Sequence, residues 1–110
     1  MDVRELCKRL GIKPAAGFNG MDREVKGAYA GDLLSFVMAN ASRGNVWVTI
    51  QAHSNIVAVA SLLEMACIIV AAGVEVDGDT LEKANGEGIP ILAAGDDTYT
   101  LCCRLHDLGV

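Results

Sequence analysis

The chain has 110 residues, 52% of them hydrophobic, and a formal net charge of −5 from 9 Lys and Arg against 14 Asp and Glu. A chain of this length holds one core rather than two, and its apolar content excludes a disordered polymer. The acidic balance, with no basic stripe, argues against a nucleic-acid partner and against a polybasic membrane anchor, because both need clustered cations.

The chain opens on an expected amphipathic helix. Asp2 and Glu5 have capping-box spacing, Val3, Leu6, Cys7 and Leu10 recur at helical intervals, and Gly11 stops the helix. Residues 12–18 suit a short strand that Pro14 pushes to a sheet edge. Val25 to Ala30 suits a second strand. Gly31 and Asp32 then turn the chain into a helix with Leu33, Leu34, Val37, Met38 and Ala41 on one face and Asp32 as its cap. Asn45 to Gln51 carries the strongest strand pattern, with β-branched and aromatic residues.

The next helix, Asn55 to about Met65, follows a cap at Ser54 or Asn55 and is apolar nearly all round, so it needs cover on more than one side. Ile68 to Val70 suits a strand buried on both faces. Asp79 and Glu82 suggest a second capping box, opening a helix that stops near Gly86 or Gly88. Ile89 to Ala93 reads as the last strand, and Asp96 or Asp97 as the cap of a final helix with Leu101, Cys102, Leu105 and Leu108 on one face. Strands spaced by helices predict a single layered α/β/α domain over residues 1–110, with a mixed, mostly parallel sheet of about five strands.

Cys7, Cys67, Cys102 and Cys103 form no C-x-x-C pair and fall in apolar segments, which suggests reduced, buried thiols in a cytoplasmic protein. The N-terminus has no apolar signal core. The run from Ile56 to Ala72 contains Glu64 and sits at the short limit for a membrane span, so it reads as two buried elements.

Catalytic motifs are sparse. Gly73-x-x-x-x-Gly78-Asp79-Thr80 has the spacing of a phosphate loop, but Asp79 stands where the lysine belongs and would repel phosphates. His53 and His106 lack Cys or carboxylate neighbours at metal-ligand intervals, so neither a metal nor any other cofactor is expected. One constellation remains. Thr49, Gln51, His53 and Asn55 continue the odd positions begun by Trp47, bringing hydrogen-bonding groups to the carboxyl end of a strand just before a helix. Open α/β sheets bind ligands at that edge, and helix N-termini favour anions. Asp32, Ser35 and Asn40 could approach it from the preceding helix.

Two sequence blocks carry a family resemblance. Asp22-Arg23 followed by Gly27-x-Tyr29-x-Gly31-Asp32-Leu33-Leu34-Ser35-x-Val37-Met38-Ala39 resembles the DRTGG domain family, and so does Trp47-x-Thr49-x-Gln51-x-His53-x-Asn55-x-x-Ala58-Val59-Ala60. Glu24 follows Arg23, so the threonine of the family name has no counterpart there; Thr49 and Thr98 are the candidates for its role. The resemblance spans essentially the whole chain. It implies a fold like the N-terminal domain of HPr kinase/phosphorylase, without the kinase domain, and kinship with regulatory inserts of CBS-containing pyrophosphatases.

The expected function is a non-catalytic regulatory or ligand-sensing domain, acting as a homodimer and taking an adenine nucleotide or other small anion. Its expected ligand-binding residues are Asp32, Ser35, Asn40, Thr49, Gln51, His53, Asn55 and Thr98. The alternatives are a small enzyme with His53 as acid or base near Asp32, and a docking subunit for a larger enzyme of redox or energy metabolism. The expected dimer surface is the Asn55–Met65 helix, unless the C-terminal helix covers it.

Overall fold

The computed structural model describes residues 1–110. Helix α1 (Val3–Leu10) starts on Asp2, whose Oδ1 accepts the Glu5 N–H at 2.9 Å, and ends on left-handed Gly11. The capping box is only half made, because the Glu5 carboxylate turns to Arg9 at 3.1 Å, one helical turn on. After α1 come β1 (Pro14–Ala16), β2 (Ala28–Ala30), α2 (Leu34–Asn40), β3 (Val46–Thr49), α3 (Asn55–Leu62), β4 (Cys67–Val70), α4 (Gly78–Glu87), β5 (Ile91–Ala93) and α5 (Thr98–Asp107).

The five strands form one sheet in the order β1-β5-β4-β3-β2. β2 to β5 run parallel, and β1 joins the β5 side antiparallel. The expected layered, mostly parallel architecture is therefore the one observed. Strand pleating sends alternate side chains to opposite faces. Val46, Val48, Cys67, Ile69 and Leu92 pack with α1 and α5, through Leu6, Leu10, Leu101 and Leu105. Trp47, Ile68, Val70 and Ile91 pack with the layer of α2, α3 and α4. Every residue of β3 and β4 is buried, as strands covered on both faces must be.

Several boundaries differ from those expected, each for a local reason. β2 is shorter than Val25–Ala30, because the Val25 N–H bonds Met1 O at 2.9 Å and the Lys26 N–H bonds Gly44 O at 2.8 Å, outside the sheet ladder. Asp32 does not cap α2. The cap position is Leu33, without a side-chain bond, and only Val37 of the expected apolar face is fully buried. Leu33 and Met38 are exposed instead, along with Phe36. α3 stops at Leu62, and Glu64 takes a positive φ of 54° on the way into β4. α4 begins at Gly78, before the expected Asp79 box, but it ends on left-handed Gly88, one of the two stops expected.

Most of the apolar surplus on α3 finds its cover inside the chain, but Ala58 and Leu62, the latter 68% exposed, do not. Ile56, Val57, Val59 and Ala60 are buried against the sheet layer that also contains Ala84 of α4. Helix α5 lies on the opposite face of the sheet, so it is not the cover expected for α3. The cysteines are free, but only Cys7 and Cys67 are buried; Cys102 is half-buried and Cys103 exposed, contrary to the expectation of four buried thiols. No helix is long and apolar enough to cross a membrane.

Two glycines let residues 17–20 lie flat on the entrance to β5. A Cβ on Gly17 would sit 2.1 Å from Ile89 O at a φ of +72°, and one on Gly20 would sit 2.0 Å from Gly88 O. Arg23 locks this junction by donating from Nε to Gly88 O at 2.9 Å and from Nη1 to Met65 O at 3.3 Å.

Candidate functional site at the carboxyl edge of the sheet

Parallel strands β2 to β5 deliver their following loops to one edge. There the backbone ladders end and polar side chains take over the unpaired groups. Asp32, in the loop after β2, reaches across to the end of β3. Its Oδ1 accepts the buried Thr49 hydroxyl at 2.9 Å and the Ile50 N–H at 2.8 Å. Gln51 returns the contact, donating from Nε2 to Asp32 O at 2.9 Å, while its own N–H bonds Thr49 Oγ1 at 3.1 Å. These bonds terminate β3 at Thr49, so the alternation expected to carry Gln51, His53 and Asn55 does not continue as strand. Beneath them Trp47 donates from Nε1 to Gly31 O at 2.8 Å, fixing the residue before Asp32.

His53 does not join Asp32. Its Nδ1 lies 2.8 Å from Oδ2 of Asp77, in the loop after β4, and the ring is otherwise exposed. With a carboxylate as acceptor, the neutral ring keeps its proton on Nδ1 and presents Nε2. The loop after β3 is tied a second time, now to α4, by the buried Thr80 hydroxyl donating to Ala52 O at 2.7 Å. Asp32, Thr49, Gln51, His53 and Asp77 thus form one continuous rim.

The other expected residues fall around this rim. Ser35 is exposed in the first turn of α2, and Asn55 is the exposed first residue of α3. Asn40 is at the far end of α2, where its Nδ2 donates to Phe36 O at 2.9 Å, so it does not reach the edge. Thr98 starts α5 in the opposite helical layer, away from α2 and α3.

Sequence reasoning missed Asp77 and a cavity beside it. The loop after β4 turns toward α4 on one face of the sheet, and the loop after neighbouring β5 turns toward α5 on the other. Divergence of adjacent loops opens the crevice in which α/β sheets bind ligands. Here it is a concavity of about 510 Å³, lined mainly by small and apolar residues, among them Val74, Val76, Leu81, Ala94 and Gly95, with Glu75 the one charged side chain. Glycines at 73 and 95, just after β4 and β5, were the available signal.

A five-stranded mixed sheet between two helical layers defines a small α/β domain. The family model of the DRTGG domain matches residues 22–108, and the chain belongs to that family. Among solved structures it is similar to the CBS and DRTGG domains of the regulatory region of Clostridium perfringens pyrophosphatase, complexed with the activator diadenosine tetraphosphate. That likeness has a TM-score of 0.73 at 15% identity, covering 94% of this chain and 45% of the other. At such identity the likeness is one of fold, and this chain spans under half of that neighbour. No curated protein matches the chain.

Proposed function

We propose that this chain, one domain over residues 1–110, is a ligand-sensing regulatory domain of the cytoplasm that binds an adenine nucleotide or a similar small anion without consuming it. The observation that carries this reading is the crevice between the loops after β4 and β5, joined to the polar rim through Asp77. Small and apolar walls suit a flat base. Asp32 and Asp77 would repel a bare anion, but each is engaged by donors within the chain. The rim therefore favours a ligand that brings hydroxyl or amino donors with its phosphates. Gln51, His53, Ser35 and Asn55 have side-chain groups left to meet it. The fold shared with a pyrophosphatase regulatory region, itself bound to a nucleotide activator, supports the same reading.

Isothermal calorimetry with ATP tests it. Gly95→Phe is the informative variant, because a Cβ at Gly95 meets nothing within 4 Å and its backbone needs no positive φ. A filled crevice should abolish binding at an unchanged Tm; equal affinity in the variant would move the ligand elsewhere.

Self-association is part of this proposal, through α2 rather than α3. Leu33 is 65% and Phe36 61% exposed, and a two-fold pairing lets such a patch cover itself. Light scattering should give twice 11.5 kDa for the natural chain and 11.5 kDa for Phe36→Glu; a monomer mass for both would remove the dimer.

One observation favours a second reading. An Asp-oriented histidine with Nε2 toward solvent is the geometry of a general base, so the enzyme alternative would use His53 with Asp77, not with Asp32. Consumption of the nucleotide by the natural chain, lost in His53→Ala, would select it. A docking role beside a larger metabolic enzyme would show instead as a stable partner with no response to nucleotides.

A further inference from the structure

Three of the nine Lys and Arg residues in this acidic chain line a single concavity, and no carboxylate lines it. It measures about 400 Å³ and lies along α1, against residues 11–14 and Met21. Arg4 and Lys8 project from one face of α1, four residues apart, and Lys13 closes the opposite side from the turn into β1. Cys7, Ile12 and Met21 supply an apolar floor.

The arrangement is unfavourable as it stands. Like charges four apart on a helix repel, and Arg4 sits in the first turn, where the helix dipole disfavours a cation. Lys8, in the last turn, is favoured by that dipole, but neither Arg4 nor Lys13 is explained by it. Only Arg4 has an anionic neighbour, Asp2 at 3.8 Å, while Lys8 and Lys13 form no ion pair. Three cations around a dry floor fit a dianionic head on an apolar stem.

We propose that this concavity binds a phosphomonoester carried on an apolar body. Every lining residue precedes position 22, so the site lies outside the segment matched by the DRTGG family. It shares no lining residue with the crevice after β4 and β5, although Pro14 here and Ala15 there are neighbours on β1. It therefore stands independently of the nucleotide reading. The head group could come from a soluble ester or from a phosphatidic-acid surface, which share this chemistry.

The test titrates phenyl phosphate, and separately inorganic phosphate, into the full chain while amide shifts are followed by NMR. A parallel arm sediments the chain with phosphatidylcholine vesicles, with and without phosphatidic acid. Shifts should cluster at residues 4–13 and Met21, with phenyl phosphate binding roughly tenfold tighter than phosphate because its ring is buried. The double variant Lys8→Gln/Lys13→Gln should weaken this on the order of tenfold or more, the loss of charge-assisted bonds, at an unchanged Tm. His53→Ala and Gly95→Phe should leave it untouched. Sedimentation that depends on phosphatidic acid would assign the head group to a lipid, and binding in solution alone would assign it to a soluble ester; either supports the site. An unshifted 4–13 segment together with no sedimentation that depends on phosphatidic acid, or full affinity in the double variant, would overturn it.

Discussion

The Asp32 carboxylate accepts a hydrogen bond from the Thr49 hydroxyl at 2.9 Å, and the same oxygen accepts the Ile50 N–H at 2.8 Å. One side chain therefore ends β3 and fixes the loop after β2. Thr49 is fully buried, so removing its acceptor strands a polar group away from water. Asp32→Ala should cost about 1–3 kcal/mol, lowering Tm by roughly 5–15 °C for a domain near this size. Differential scanning fluorimetry checks it. Asp32→Asn, which keeps an acceptor oxygen, should lose less; a neutral Asp32→Ala would mean that water replaces the carboxylate freely.

The burial of the cysteines sets their reactivity. Burial raises the Cys67 thiol far above its ordinary range, with Cys7 beside it adding to the effect, and burial raises Cys7 too. Cys102 is raised by burial and then by neighbouring Cys103. Because the thiolate is the reactive form, a disulfide reagent at neutral pH should modify Cys103 first and Cys102 more slowly. Cys7 and Cys67 should react only after denaturation. Four equally fast thiols would contradict the observed packing.

How far this was legible in the sequence depends on the range of the contact. The pattern of Val46 and Val48 against Trp47 and Thr49 is local, and it correctly assigned the two faces of β3. The end of that strand was not local, because Asp32 captures Ile50 from another loop. The Asp79 and Glu82 spacing suggested a helix start by itself, yet α4 begins at Gly78, just after the loop carboxylate that meets His53. The Asp97 cap, by contrast, needs only residues three apart, and it was readable. The His53–Asp77 pair and the crevice exist only once β4 lies between β3 and β5.

The Asp97 cap also gives a pH dependence. The Thr100 N–H holds the Asp97 carboxyl below its ordinary 3.8. A carboxyl with a lowered folded value stabilises the fold above its unfolded value and loses that contribution as pH falls through the folded one. The stability gap between the natural chain and Asp97→Ala should thus be full near neutrality and close at pH below 3.8. Urea unfolding across that range measures it. A gap that stays constant into acid would show that the capping carboxylate is not its source.

The most direct measurement of the central claim is an amide-resolved NMR titration of the full chain with ATP, with the nucleotide assayed before and after. Binding at the carboxyl edge should shift residues 50–55, 73–77 and 94–97 in a saturable way while all the ATP is recovered intact. An unresponsive carboxyl edge at millimolar ATP, or ATP cleaved by the pure chain, would contradict a nucleotide-sensing role.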